Sequence, residues 1–161
     1  MSTESGPYNG RMSDDVLALE NQVCFGLAVA ARSVIALYRP VLEPLSLTHP
    51  QYLVMLALWE QEPRSVKNLS DTLALEPATL SPLLKRLEAI GYIERKRSAA
   101  DERALEVRLT ASGRALRAEA EKIPARIVER LGLPTAELVE LRSSLHTIIA
   151  AAARIPEPAG A

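Results

Sequence analysis

The stretch "LSDTLALEPATLSPLLKRLEAIGYIERKRSAADERALEVRL", residues 69–109, decides the fold. A short helix is predicted from Ser65 through Leu73, with Ser65 as its N-cap. The break "ALEP" follows, and a second helix opens with Pro77 in its first turn and closes at Gly91. Two short helices around a brief turn make a helix-turn-helix. The period then changes from helix to strand. "ALEVRL" alternates, with Leu105, Val107 and Leu109 on one face, and "YIERKR" can pair with it across "SAADER". A charged β-hairpin directly after a helix-turn-helix is a winged arrangement.

Helices flank this unit. Val16, Leu19, Val23, Leu27, Ala30, Val34 and Leu37 recur at three- and four-residue steps, so an amphipathic helix is predicted from Asp14 until Pro40 or Pro44 ends or kinks it. "THPQYLVMLALWEQEP" is a further helix with Thr48 as N-cap. After Thr110, helical stretches are expected at roughly 111–131 and, beyond Pro134, 135–153. The fold class is therefore mainly α with a small β-hairpin wing. The expected parts are a loose arm (1–13), an N-terminal dimerisation and sensor helix (14–45), a winged helix-turn-helix (46–110), C-terminal dimerisation helices (111–154) and a tail (155–161).

Composition narrows the function. The chain has 161 residues, one Phe and one Trp, so aliphatic side chains must do the packing. A single cysteine, Cys24, excludes an internal disulfide. The longest apolar run, Val23 to Ala31, is short for a bilayer span, and "MSTESGPYNGRMSDD" has neither a basic nor an apolar leader segment. No membrane partner and a cytoplasmic location are the expectations. No phosphate loop, zinc-binding pattern or nucleophile elbow is present, so neither an enzyme nor a metal or other cofactor is expected.

Net charge is −1, so a nucleic-acid partner must be served by a local patch. Between Lys85 and Arg97 lie five basic residues (Lys85, Arg86, Arg95, Lys96, Arg97) against Glu88 and Glu94. Phosphate contacts need such clustering. Ala78, Thr79 and Ser81, small or hydroxyl-bearing, stand near the start of the second helix and can approach base edges, with Pro82 just behind them. Arg103 sits near the hairpin tip, where an arginine reaches a narrow minor groove, and Asp101 is placed to hold it by an ion pair. A solvated hairpin with exposed turn charges is the competing reading. Cys24 is likewise open to two readings, a small core filler or a redox sensor.

The residues quoted above, with the Asp101-x-Arg103 wing signature, resemble the MarR-type winged-helix repressors. "ENQVCFGL", "YRPVLEPLSLTHPQYLVMLALWE" and "LSPLLKRLE" are similar more narrowly to the organic-hydroperoxide-sensing OhrR group, over roughly residues 17–152. The resemblance implies a homodimer with interlocked terminal helices, one recognition helix in each major groove and one wing in each minor groove. The operator would be pseudo-palindromic, with half-sites ~34 Å apart. It implies that Cys24 reacts with organic hydroperoxides and that Tyr38 supports it; Phe25 as an apolar wall and Tyr52 are further supporting candidates, and His49 is either a donor in place of a phenol or a simple helix-start residue. Tyr38 would meet the thiol of the other subunit. The group places further tyrosines where this chain has His49 and Ala28. With no second cysteine in the chain, oxidised Cys24 is expected to end either as a mixed disulfide with a low-molecular-weight thiol or as an over-oxidised sulfur. The alternatives are a regulator responding to a small aromatic ligand and a winged helix that binds protein.

Overall fold

The computed structural model describes residues 14–154; the expected arm (1–13) and tail (155–161) lie outside them. The chain divides into two compact units, one ending at Glu121 and the other beginning at Lys122.

In the first unit the long helix α1 spans Val23–Leu42. The expected start at Asp14 is wrong by more than two turns. Val16 and Leu17 lie outside any helix, and a 3-10 turn occupies Leu19–Asn21. The cause is local competition for backbone groups. The Asp15 carboxylate accepts from the Leu17 N–H, the Asn21 side-chain amide donates to the Asp15 carbonyl, and that of Gln22 donates to the carbonyls of Val16 and Ala18. Pro40 lies inside α1 and does not end it. By length and composition alone the run Val23–Leu45 is long and apolar enough to cross a bilayer, while its longest uninterrupted apolar stretch is Val23–Ala31. The longer run carries Arg32 and Arg39 and ends in the unit's core at Val41 and Leu42.

Helix α2 (His49–Glu60) opens with a capping box between Thr48 and Gln51 and supplies the core residues Val54, Met55 and Leu58. Helix α3 (Val66–Leu73) is capped by Ser65, whose hydroxyl accepts from the Asn68 N–H. It ends at Ala74, which takes the left-handed conformation (φ 51°) that reverses the chain. Helix α4 (Pro77–Ile90) buries Leu80, Leu84 and Leu87 and ends at Gly91, also left-handed.

The wing strands are β2 (Ile93–Arg97) and β3 (Leu105–Leu109), antiparallel with Arg95 opposite Val107. Val107 and Leu109 are buried as the alternation requires, but Leu105, near the tip, is 47% exposed, because the hairpin projects beyond the core. A third strand, β1 (Arg64–Ser65), pairs with β3 and gives the order β1-β3-β2. Two residues carry no alternation, so the sequence pattern gives no sign of this strand.

At the foot of the wing, Thr110 caps α5 (Ala111–Ala115) by accepting from Gly113 and donates to the Gly91 carbonyl. Gly113 is required there, since a Cβ would stand 2.0 Å from the Tyr92 carbonyl oxygen. Residues 111–131, read as one helical stretch, form α5, α6 (Arg117–Ala120) and α7 (Ile123–Leu131), with Pro124 in the first turn of α7. In the second unit α7 buries Ile123 and Ile127, while α8 (Thr135–Ala152) has no buried residue and exposes Val139, Leu141, Ile148 and Ile149.

Candidate nucleic-acid interface and thiol site

Helix α4 has two faces. Leu80, Leu84 and Leu87 pack inward, and Ala78, Thr79, Ser81, Pro82, Lys85 and Arg86 are all exposed on the other side. The small residues cluster in the first two turns, leaving room for close approach of a base edge or phosphate. Pro82 has no N–H, so it cannot close the helical bond to the Ala78 carbonyl.

The wing's charges sort into two groups. Arg95 is engaged by Glu88 of α4, with its Nη2 2.6 Å and its Nε 3.1 Å from the carboxylate and its backbone N–H on the same group. This hydrogen bonding holds the Glu88 carboxyl below its usual range. Lys96 pairs with Glu94 at 2.8 Å. Among the described residues, Lys85, Arg86, Arg97 and Arg103 make no side-chain ion pair. Of the cations on α4 and the wing hairpin, these four are left available to a polyanion.

The expected Asp101–Arg103 ion pair is absent. The Asp101 carboxylate accepts instead from the Arg103 backbone N–H at 2.9 Å, and its carbonyl accepts from Ala104. Within so tight a turn the backbone donor is nearer than the guanidinium. Asp101 shapes the tip and leaves the Arg103 side chain unpaired. Ser98 stiffens the same loop: its hydroxyl donates to Glu106 at 2.7 Å and its N–H to the Ala104 carbonyl.

Cys24 lies in the first turn of α1, exposed, so in this chain it is not a core filler. Half-buried Phe25 adjoins it. Tyr38 stands fourteen residues further along the same helix, roughly 21 Å away along its axis. Thiol and phenol of one chain therefore cannot touch.

Tyr38 belongs to an aromatic cluster where α1 meets the start of α2. Its ring centroid is 4.8 Å from that of His49, edge-on, and 5.9 Å from that of Tyr52. Tyr52 is 3% exposed. Burial pushes both phenols up and the imidazole down, and the neighbouring Tyr38 pushes Tyr52 further. Burial thus favours the neutral form of the His49 imidazole. Beside the cluster lies a cavity of about 930 Å³, lined by Ile35, Leu47 and Ile90 together with Arg32, Arg39 and Arg86. Sequence reasoning finds the tyrosines, the histidine and, as a DNA contact, Arg86, but neither Arg32 nor Arg39, nor the cavity that brings the three arginines of two distant helices together.

A recognition helix with a clean exposed face, followed by a wing carrying unpaired arginines, defines a DNA-binding winged-helix transcriptional regulator. Comparison with known proteins agrees. Residues 36–120 match the transcriptional regulator SarA/Rot family, and the chain belongs to this family of winged-helix regulators of the MarR type. It is 42% identical over 135 residues to the organic hydroperoxide resistance transcriptional regulator of Bacillus subtilis, covering 84% of this chain and 92% of that one. AbfR of Staphylococcus epidermidis is 33% identical with a TM-score of 0.65, covering 82% of this chain and 94% of AbfR. AbfR has been solved reduced on DNA, overoxidised on DNA and with a disulfide formed. The repressor CouR of Rhodococcus jostii, bound to a 23-mer DNA duplex, is 29% identical with a TM-score of 0.70, covering 89% of this chain and all of CouR.

Proposed function

We propose that this chain is a homodimeric, thiol-based repressor that binds a pseudo-palindromic operator when reduced and releases it when an organic hydroperoxide oxidises Cys24. The observation that carries the reading is an exposed thiol, the only one in the chain, in the first turn of α1. The likeness to the Bacillus subtilis regulator supplies the class of oxidant. Two further features support a dimer. Cys24 can meet a Tyr38 phenol only if it comes from a second subunit. The apolar residues Val23 and Ile35 of α1 and Val139, Leu141, Ile148 and Ile149 of α8 are exposed in the single chain. The likeness to the Bacillus subtilis transcriptional regulator supports a cytoplasmic location.

In the reduced dimer each α4 enters a major groove through Ala78, Thr79, Ser81 and Pro82, with Lys85 and Arg86 on the flanking phosphates. Each wing delivers Arg103 to a minor groove, with Arg97 at its edge. Arg95, assigned to DNA from the sequence, acts through Glu88 to hold the wing, and Lys96, likewise assigned, is engaged by Glu94 of its own strand. Asp101 sets the turn from which Arg103 projects.

In the oxidation step the Cys24 thiolate attacks the outer peroxide oxygen. The O–O bond breaks, an S–O bond forms, and the alkoxide leaves and takes a proton, giving Cys24 sulfenic acid and an alcohol. Tyr38 and neutral His49 of the facing subunit hydrogen-bond the sulfur in its reduced state, over the buried Tyr52. Phe25 keeps the approach apolar, which suits an organic peroxide. A low-molecular-weight thiol then displaces water from the sulfenic acid to give a mixed disulfide. The added bulk separates the thiol from the aromatic cluster. Because packed seams are bistable, the dimer shifts to a second arrangement in which the two α4 helices no longer match the operator spacing.

The test is operator retention by the full-length chain, using a duplex enriched from a randomised pool by the reduced protein. Cumene hydroperoxide should release the native chain and leave Cys24→Ser bound. Release of the serine variant would contradict the proposal.

A second reading has its own observation. Arg32, Arg39 and Arg86 line a half-apolar cavity that suits a small aromatic anion. BpsR of Bordetella bronchiseptica, a neighbour of the same fold, is regulated by 6-hydroxynicotinic acid. Saturable binding of 6-hydroxynicotinic acid to the reduced chain, lost in Arg39→Ala and coupled to operator release, would favour it.

A further inference from the structure

Among the described residues Arg64 is the one buried charged side chain, at 8% exposure. Nothing in its sequence surroundings, "EQEPRSVKN", marks it out. Its guanidinium nevertheless joins three elements. Nε donates to the carbonyls of Ala57 and Gln61 at 2.9 and 3.1 Å, capping the C-terminal end of α2. Nη1 donates to Asn68 Oδ1 at 2.8 Å and to Thr72 Oγ1 at 3.3 Å, one turn apart on α3. Nη2 reaches Glu60 at 3.1 Å. The backbone of Arg64 is itself β1, opposite Val107 of β3.

This placement has a consequence for DNA reading. Helix α3 is tied to α4 by a compact turn, in which the Leu75 N–H donates to the Ser70 carbonyl and the Ser70 hydroxyl to the Leu75 carbonyl. Fixing α3 therefore fixes α4. Pairing of β1 with β3 fixes the wing. The sheet order β1-β3-β2 puts Arg64 at one edge and the Glu88–Arg95 bridge at the other. An apolar side chain at position 64 could fill the space but could not bond both helices. A lysine could not supply the planar fork.

We propose that Arg64 is a positioning residue that locks the recognition helix and the wing into one rigid reading head, without touching DNA itself. Two DNA-binding modules held at a fixed spacing bind with a high effective concentration of the second once the first is seated. Loosening the lock lowers affinity only when both modules are in use. The inference rests on the wing reading given above, and the experiment separates the two.

Operator affinity of the reduced full-length chain is measured by anisotropy, for Arg64→Met and for the pair Asn68→Ala/Thr72→Val, each in the native and in the Arg103→Ala background. The double variant cuts only the α3 arm and covers the case in which Arg64→Met fails to fold; circular dichroism shows which variants are folded. With the native wing, the folded variants should weaken binding about tenfold or more. In the Arg103→Ala background the loss should shrink to less than about twofold. An equal loss in both backgrounds, or no loss in either, would overturn the role of Arg64. If Arg103→Ala alone leaves affinity unchanged, the wing reading fails and takes this inference with it.

Discussion

Arg95 of the wing closes on Glu88 of the recognition helix, with Nη2 2.6 Å from Oε2. The bridge ties β2 to α4 at the point where the helix and the wing diverge. By charge count, removing Glu88 should strengthen DNA binding. By geometry it should weaken it, because the wing loses its brace. We predict that Glu88→Gln lowers operator affinity several-fold and that Glu88→Gln with Arg95→Met is no worse than the single variants. Tighter binding by Glu88→Gln would show that Arg95 binds phosphate instead. Because hydrogen bonding lowers the Glu88 pKa, the brace is whole above the ordinary carboxylate pKa and is lost as pH falls through the depressed value.

The unpaired cations are distinguishable from the paired ones by salt. Each phosphate that a cation neutralises adds about 0.9 to the slope of log affinity against log salt. In the dimer each substitution removes two cations, so replacing Lys85, Arg86, Arg97 or Arg103 with Ala should flatten that plot by about twice this amount. Lys96→Ala, whose partner is Glu94, should change the slope much less. Equal slopes across all five variants would contradict this sorting of the charges.

Gly113 meets the Tyr92 carbonyl where the wing rejoins the helices, and its own carbonyl accepts from the Trp59 indole at 2.9 Å. Gly113→Ala must displace backbone, not a pliable side chain. A cost of about 1–3 kcal/mol is expected, read as a lowered midpoint in thermal unfolding. An unchanged midpoint would mean that the junction is looser than the close approach indicates.

His49 has a pH signature of its own. Burial lowers its pKa below the ordinary 6.5, so the folded state binds fewer protons than the unfolded state just below that value. Stability is full above the unfolded pKa and falls as pH drops through the window down to the folded pKa. The drop in unfolding midpoint between about pH 7.5 and 5.5 should be smaller in His49→Gln than in the native chain. An identical pH dependence would remove His49 from the buried cluster.

Much of this architecture is legible in the residues. The helix-turn-helix and wing announce themselves because the apolar period switches from helical to alternating at Tyr92, with Pro77 and Gly91 marking the ends of α4. The exposed face of α4 follows from the same period. Three features are hidden, each for a physical reason. The start of α1 is displaced by side-chain bonds from Asp15, Asn21 and Gln22 that outcompete an otherwise helical pattern. The Glu88–Arg95 bridge joins residues seven apart across a helix–strand junction, a separation with no periodic signature. Arg64 lies in a polar loop sequence, and only the fold surrounds it with carbonyls and amide oxygens. At the thiol site Cys24 and Tyr38 are visible, and their fourteen-residue separation along one helix keeps thiol and phenol apart within a single chain.

The central claim is that oxidation at Cys24 controls DNA binding. The most direct measurement takes one sample of the full-length chain through a titration with cumene hydroperoxide in the presence of a small thiol. Operator binding and intact mass are read at each point. The account predicts that the fraction released equals the fraction carrying one thiol adduct or added oxygen at Cys24, and that a reductant reverses release together with the adduct. Release without any mass change at Cys24, or full modification with the operator still bound, would contradict it.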